Sequence, residues 1–141
     1  VRYLLDTNVI SEFAGNQPTA SVVDWLAEHA NDELFLSVVS IGEIQQGISR
    51  LPDSQRKNDL DIWLNRSLMV VYADKILPID VATIIQWGTM TAQLIRQGKK
   101  MPAMDGLIAA TALYHNLTLV TRNVADFVDT GLILIDPWTV T

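Results

Sequence analysis

Short apolar runs alternate along this chain with longer segments of helical periodicity. Residues 2–5 (RYLL) form one run, which stops at Asp6; residues 34–37 (LFLS), 117–121 (LTLVT) and 132–135 (LILI) form three more. Runs this short, without polar alternation, read as strands buried on both faces. A further strand falls at 69–72 (MVVY) or 76–79 (ILPI), where Pro78 favours an edge position because it donates no ladder hydrogen bond. Between the runs the period changes. Residues 7–14 predict a short helix that Gly15-Asn16-Gln17-Pro18 breaks. Val22, Val23, Leu26 and Ala30 mark a helix over 19–30, and Val39, Ile41, Ile44 and Ile48 another over 38–48. Asp53 or Ser54 can cap a helix running to about Leu68, with Leu60, Trp63, Leu64 and Leu68 on one face. Residues 81–97 predict an amphipathic helix whose stripe is Val81, Ile84, Ile85, Gly88, Thr91 and Ile95, ended by Gly98-Lys99-Lys100-Met101-Pro102. Asp105 to Tyr114 is a compact Ala-rich helix.

This alternation predicts an α/β fold: one domain over residues 1–141, with a central, mainly parallel sheet of about five short strands flanked by helices. In such sheets ligands bind beyond the carboxyl ends of the strands. Four acids fall there. Asp6 follows the first strand, Glu43 lies in the first turns of the helix after the second, Asp105 opens the Ala-rich helix, and Asp126 follows the LTLVT strand. Singly, the aspartates could be helix caps and Glu43 part of a solvated face. Together, four carboxylates on one edge repel one another unless a cation joins them. A hard-oxygen donor set suits Mg²⁺ or Mn²⁺. Such ions activate a water and neutralise phosphate charge, and a pair of them stabilises both attacking and leaving oxygens. The two histidines, His29 and His115, fall away from the acids in the strand–helix order, and His115 reads as a helix C-terminal residue.

Composition changes the picture at three points. The absence of cysteine excludes a disulfide framework, a thiolate zinc site and a thiol nucleophile. Hydrophobic residues make up 49% and charged residues 18%, which implies either a large core or apolar surface covered by a partner or second copy. Phe13, Trp25 and Trp63 are aromatic candidates for either role. Sixteen acids against ten Lys and Arg leave a net charge of −6, which excludes holding nucleic acid by bulk positive charge. No run has the form of a signal peptide or the length of a membrane span, so a soluble cytoplasmic protein is expected.

The segment Leu4-Leu5-Asp6-Thr7-Asn8-Val9-Ile10-Ser11 resembles the opening motif of PIN-domain ribonucleases. Ser40-Ile41-Gly42-Glu43-Ile44, Asp105-Gly106-Leu107-Ile108-Ala109-Ala110-Thr111-Ala112 and Thr121-Arg122-Asn123-Val124-Ala125-Asp126-Phe127 extend the likeness. Their order and spacing are similar to VapC-type and FitB-type toxins of bacterial toxin–antitoxin pairs, from Leu4 to Trp138. The resemblance implies a Mg²⁺- or Mn²⁺-dependent endoribonuclease with a parallel sheet. Asp6, Glu43 and Asp105 would be the principal catalytic and metal-binding residues, and Asp126 the fourth. Thr7 matches a hydroxyl that orders the site, and Asn123 stands where some members carry an acid. The resemblance also implies a homodimer, and a small antitoxin that inserts a basic side chain into the acidic site. Lys99, Lys100 and Arg122 flank the acids and are candidate contacts to RNA phosphates. Two rival readings remain. A haloacid-dehalogenase-type phosphatase also starts with a strand ending in Asp, but needs a second acid two positions on, where this chain has Asn8. A non-catalytic interaction module would keep the fold without turnover.

Overall fold

The computed structural model describes residues 1–139. Its centre is a five-stranded sheet in the order β3-β2-β1-β4-β5, formed by β1 (Arg2–Leu5), β2 (Glu33–Ser37), β3 (Ile76–Leu77), β4 (Thr118–Val120) and β5 (Leu134–Ile135). Every pairing is parallel. The chain steps outward from β1 to β2 and β3, then crosses to the other side of β1 for β4 and β5. The order therefore reverses at β1 and β4, and a crevice opens at the carboxyl ends of those strands.

The central strands are covered on both faces. Side chains alternate through the sheet, so Tyr3 and Leu5 face one layer and Leu4 faces the other. The first layer packs α1 (Thr7–Ser11), α2 (Ala20–Glu28) and α3 (Val38–Ser49) through Val9, Ile10, Val22, Trp25, Ile44 and Ile48. The second packs the long helix over Val81–Arg96 and the Ala-rich helix over Ala103–Tyr114 through Met90, Leu94, Ile108, Ala109 and Ala112.

Most predicted elements are present; two open alternatives are resolved, and three elements differ. The helix after Asp6 stops at Ser11 and tightens into a 3₁₀ turn over Glu12–Ala14. Ser54 rather than Asp53 caps α4 (Gln55–Ile62), its hydroxyl accepting the Lys57 N–H at 3.2 Å. Of the two places for the third strand, Ile76–Leu77 is the strand, at the sheet edge with Pro78 just beyond it. Residues 69–71 are helical instead. The chain runs from α4 through a π-helical segment (Trp63–Leu68) into α5 (Met69–Val71), because Leu64 and Leu68 continue the inward face one turn apart. The Ala-rich helix begins at Ala103, so Asp105 lies in its first turn rather than at its cap.

The third difference concerns the long helix, α6 (Val81–Arg96), which packs against α7 (Ala103–Tyr114). Most of the predicted apolar stripe points outward: Val81, Ile85 and Ile95 are 73%, 62% and 69% exposed. Its buried side is Thr83, Met90 and Leu94, with Trp87 half-buried between them. The helix has two apolar sides, and Trp87 decides which turns inward, because Gly106 of α7 leaves room for its indole. A Cβ at Gly106 would lie 2.9 Å from Trp87 Nε1 and 3.2 Å from Cδ1. Replacing Gly106 with alanine therefore overpacks this contact and should cost about 1–3 kcal/mol in urea unfolding. Adding Trp87→Leu to Gly106→Ala should recover part of that loss. An unchanged unfolding midpoint for Gly106→Ala would show that the indole is not the constraint.

Candidate active site

Asp6 is the first residue after β1 and the N-cap of α1, its carboxylate accepting the Thr7 N–H at 2.8 Å. The capping role is thus real, but it is not the whole role. The carboxyl is only 4% exposed and also accepts the Thr121 hydroxyl at 2.8 Å, from a residue just beyond β4. Asn8 Nδ2 lies 3.4 Å from the same carboxylate, and Asn8 Oδ1 accepts the Arg122 N–H at 3.3 Å. The Thr121 hydroxyl oxygen accepts the Asn123 N–H at 3.0 Å. Asp6 is therefore held from both sides of the strand-order reversal.

Glu43 sits half-buried in the second turn of α3. Its Oε1 accepts the Thr7 hydroxyl at 2.6 Å. That hydroxyl has one proton, so the Ser40 hydroxyl, 2.8 Å away, donates to the Thr7 oxygen. Asp105 comes from the first turn of α7, and Asp126 from the first turn of α8 (Val124–Phe127), which starts after β4. Asn123 is the N-cap residue of α8, without a side-chain cap bond.

The four acids feel one another. Burial raises the Asp6 carboxyl above the usual carboxylate range; the bonds from Thr121 and Thr7 oppose this, and the charges of Glu43 and Asp126 push it further up. Burial also raises Asp105, together with the charges of Asp6, Glu43 and Asp126. Among the described residues none of the four is in an ion pair. This is an uncompensated negative cluster built from hard oxygen donors, which fits a divalent cation. Among the described residues no three His, Cys, Asp or Glu side chains close a ready-made cage. An open arrangement suits Mg²⁺, which keeps several waters and uses few carboxylates.

The other sequence candidates fall as follows. Lys99 pairs with Asp129 at 2.8 Å, beyond the end of α6. Lys100 is exposed and forms no ion pair among the described residues. Arg122 lays its guanidinium over the Trp138 ring, 5.2 Å from the centroid. His29 stacks on Trp25 and His115 terminates α7, so neither histidine serves the acids. Trp25 is core. Phe13 and Trp63 instead line an apolar cavity of about 500 Å³ over α1, α2 and the π-helical segment, with no acidic residue in its wall. Thr121, Ser40 and Asn8 were not read as site residues from the sequence. Their signal was faint: a hydroxyl closing the LTLVT run, a serine within an apolar stretch, and an amide two residues after Asp6.

The open parallel sheet and the carboxylates gathered at its order reversal define a class, and the sequence agrees. Residues 3–131 match the PIN domain family, to which this chain belongs. It is 36% identical over 135 residues to the toxin FitB of Neisseria gonorrhoeae, covering 96% of this chain and 97% of the relative. It is 32% identical to a VapC ribonuclease of Sinorhizobium fredii, covering 96% of each. The structure of FitAB bound to a DNA fragment superposes with a TM-score of 0.89 at 33% identity, over 99% of this chain and 97% of that one. Family membership sets the phosphatase reading aside. Among the described residues no helix is long and apolar enough to cross a membrane.

The raised Asp105 carboxyl has a consequence for stability. Between the ordinary carboxylate range and its raised value, the folded protein holds more protons than the unfolded chain. Stability without metal therefore falls as pH rises through that window. In EDTA, Asp105→Asn should melt above wild type at neutral pH and show a shallower decline. Parallel melting curves for the two proteins would count against a raised Asp105 carboxyl.

Proposed function

We propose that this chain is a divalent-metal-dependent endoribonuclease and the toxin of a toxin–antitoxin pair. The observation that carries the reading is the buried Asp6, fixed by Thr121 and Thr7 and charge-coupled to Glu43 and Asp126, with no ion-pair partner among the described residues. Relatives named as a VapC ribonuclease and a tRNA(fMet)-specific endonuclease support the activity, and FitAB and VapBC complexes among the structural neighbours support the pairing.

Asp6, Glu43, Asp105 and Asp126 would hold Mg²⁺ or Mn²⁺. When bound, the ion supplies an activated water and neutralises charge on the phosphate. The protein's own part is positional. Thr121 and the Thr7 N–H orient Asp6, and the Thr7 hydroxyl orients Glu43. Asp126, coupled to both Asp6 and Asp105, completes the set in preference to Asn123, whose amide carries no charge. Lys100 and Arg122 are the cations that would meet RNA phosphates, with Lys99 partly neutralised by Asp129. A basic antitoxin segment would be drawn to the acidic mouth, and its apolar residues would fit the cavity lined by Phe13, Trp63 and Tyr72.

A homodimer fits the outward side of α6. Val81, Ile85, Gly88, Ala92 and Ile95 are exposed at alternating spacings of four and three, and no charge interrupts the helix before Arg96. Across a two-fold axis near Gly88 the large residues at each end oppose one another or Ala92, which permits close antiparallel packing.

Mapping cleavage in total RNA tests the activity. Cleavage should require Mg²⁺ or Mn²⁺, stop in EDTA, and fall roughly 10²–10³-fold in Asp6→Asn and Asp105→Asn, as for lost electrostatic stabilisation. Expression alone should arrest growth of the host, and cleavage that persists in both variants would sink the assignment. The dimer has its own check. Ile85→Glu should shift the mass measured by light scattering from dimer to monomer, and an unaffected dimer would exclude this face.

A further inference from the structure

A second, smaller cleft of about 250 Å³ opens directly on the site. Its wall includes Thr7 and Glu43 together with Gly47, Leu51, Arg56 and Trp63. Three features bear on what it accepts. Arg56 is exposed and forms no ion pair among the described residues, so its charge faces solvent at the cleft wall. Trp63 is half-buried and presents an aromatic surface. Gly47 stands in the third turn of α3, one turn beyond Glu43, and a Cβ there would meet nothing within 4 Å.

We propose that this cleft is a nucleotide subsite for the RNA strand beside the scissile phosphate, resting on the nuclease reading above. The base would lie in the apolar part against Trp63, and a neighbouring phosphate would meet Arg56. The volume suits one nucleoside rather than a larger ligand, since pockets for drug-sized molecules start near 300 Å³. The charge selects the class of occupant. The phosphate backbone supplies the anion that Arg56 lacks. An aromatic surface beside a cation is the usual means of holding single-stranded nucleic acid without reading its sequence. The cleft also answers the charge problem of an acidic protein. It places an exposed cation, Arg56, in a wall shared with Glu43.

The experiment compares wild type with Gly47→Leu, Arg56→Gln and Arg56→Lys, using a single-stranded oligoribonucleotide taken from a mapped cleavage site. Gly47→Leu fills the cleft from a position where leucine favours the helix more than glycine does. It should raise KM about tenfold while leaving kcat and the melting temperature near wild type. Arg56→Gln should raise KM and reduce the slope of log affinity against log salt by about 0.7, one phosphate contact on a single strand. Arg56→Lys should restore that slope. Wild-type protein that cleaves no RNA would overturn the nuclease reading itself. An active wild type whose KM and salt slope are the same in Gly47→Leu and Arg56→Gln would overturn the subsite alone. So would unchanged RNA kinetics with weakened inhibition by a hexa-arginine peptide, which would give the cleft to a protein segment.

Discussion

The structure turns on one buried carboxylate. Taking an ionised group out of water is costly unless hydrogen bonds replace its hydration. Asp6 meets that condition with one donor from its own helix and one from across the strand-order reversal. The Asp6 N–H is spent as well, on the Val120 carbonyl at 2.9 Å. One residue thus extends the β1–β4 pairing, starts α1 and sets the floor of the site. The same burial that fixes its direction leaves its charge poorly solvated, which is the condition under which a divalent ion binds well.

Around that point, hydroxyls do the work that charged partners do in many other sites. Thr7 orients Glu43, Ser40 supports Thr7, and Thr121 orients Asp6. Neutral donors can aim a carboxylate without cancelling its charge, so the cluster keeps its full attraction for a cation. Lysine or arginine in these places would have neutralised the acids instead. The basic residues stand at the margins instead, where Arg122 rests on Trp138 and Lys99 on Asp129.

Much of this was legible in the sequence, for identifiable reasons. Strands buried on both faces leave unbroken apolar runs, so the parallel sheet could be read from RYLL, LFLS, LTLVT and LILI. The four acids were legible because each follows a strand or opens a helix, where a sheet of this type places its chemistry. Two things were hidden. Alternation on α6 marked an apolar stripe, but periodicity cannot tell which of two apolar sides turns inward, and that depended on room for Trp87 at Gly106. The orienting hydroxyls were hidden because a threonine or serine in an apolar run looks like filler until its partner, 115 residues away for Thr121 and 33 for Ser40, is brought beside it.

That separation has a meaning during synthesis. β1 emerges from the ribosome first, yet it is a central strand, and one of its two edges stays open until β4 follows more than a hundred residues later. Until Thr121 arrives, the Asp6 carboxylate lacks its cross-strand donor, and Asp105 and Asp126 are absent or unplaced. A nascent chain therefore acquires its acidic centre only as the last third folds. Under the proposed reading, this ordering delays the active state until nearly the whole chain has been built.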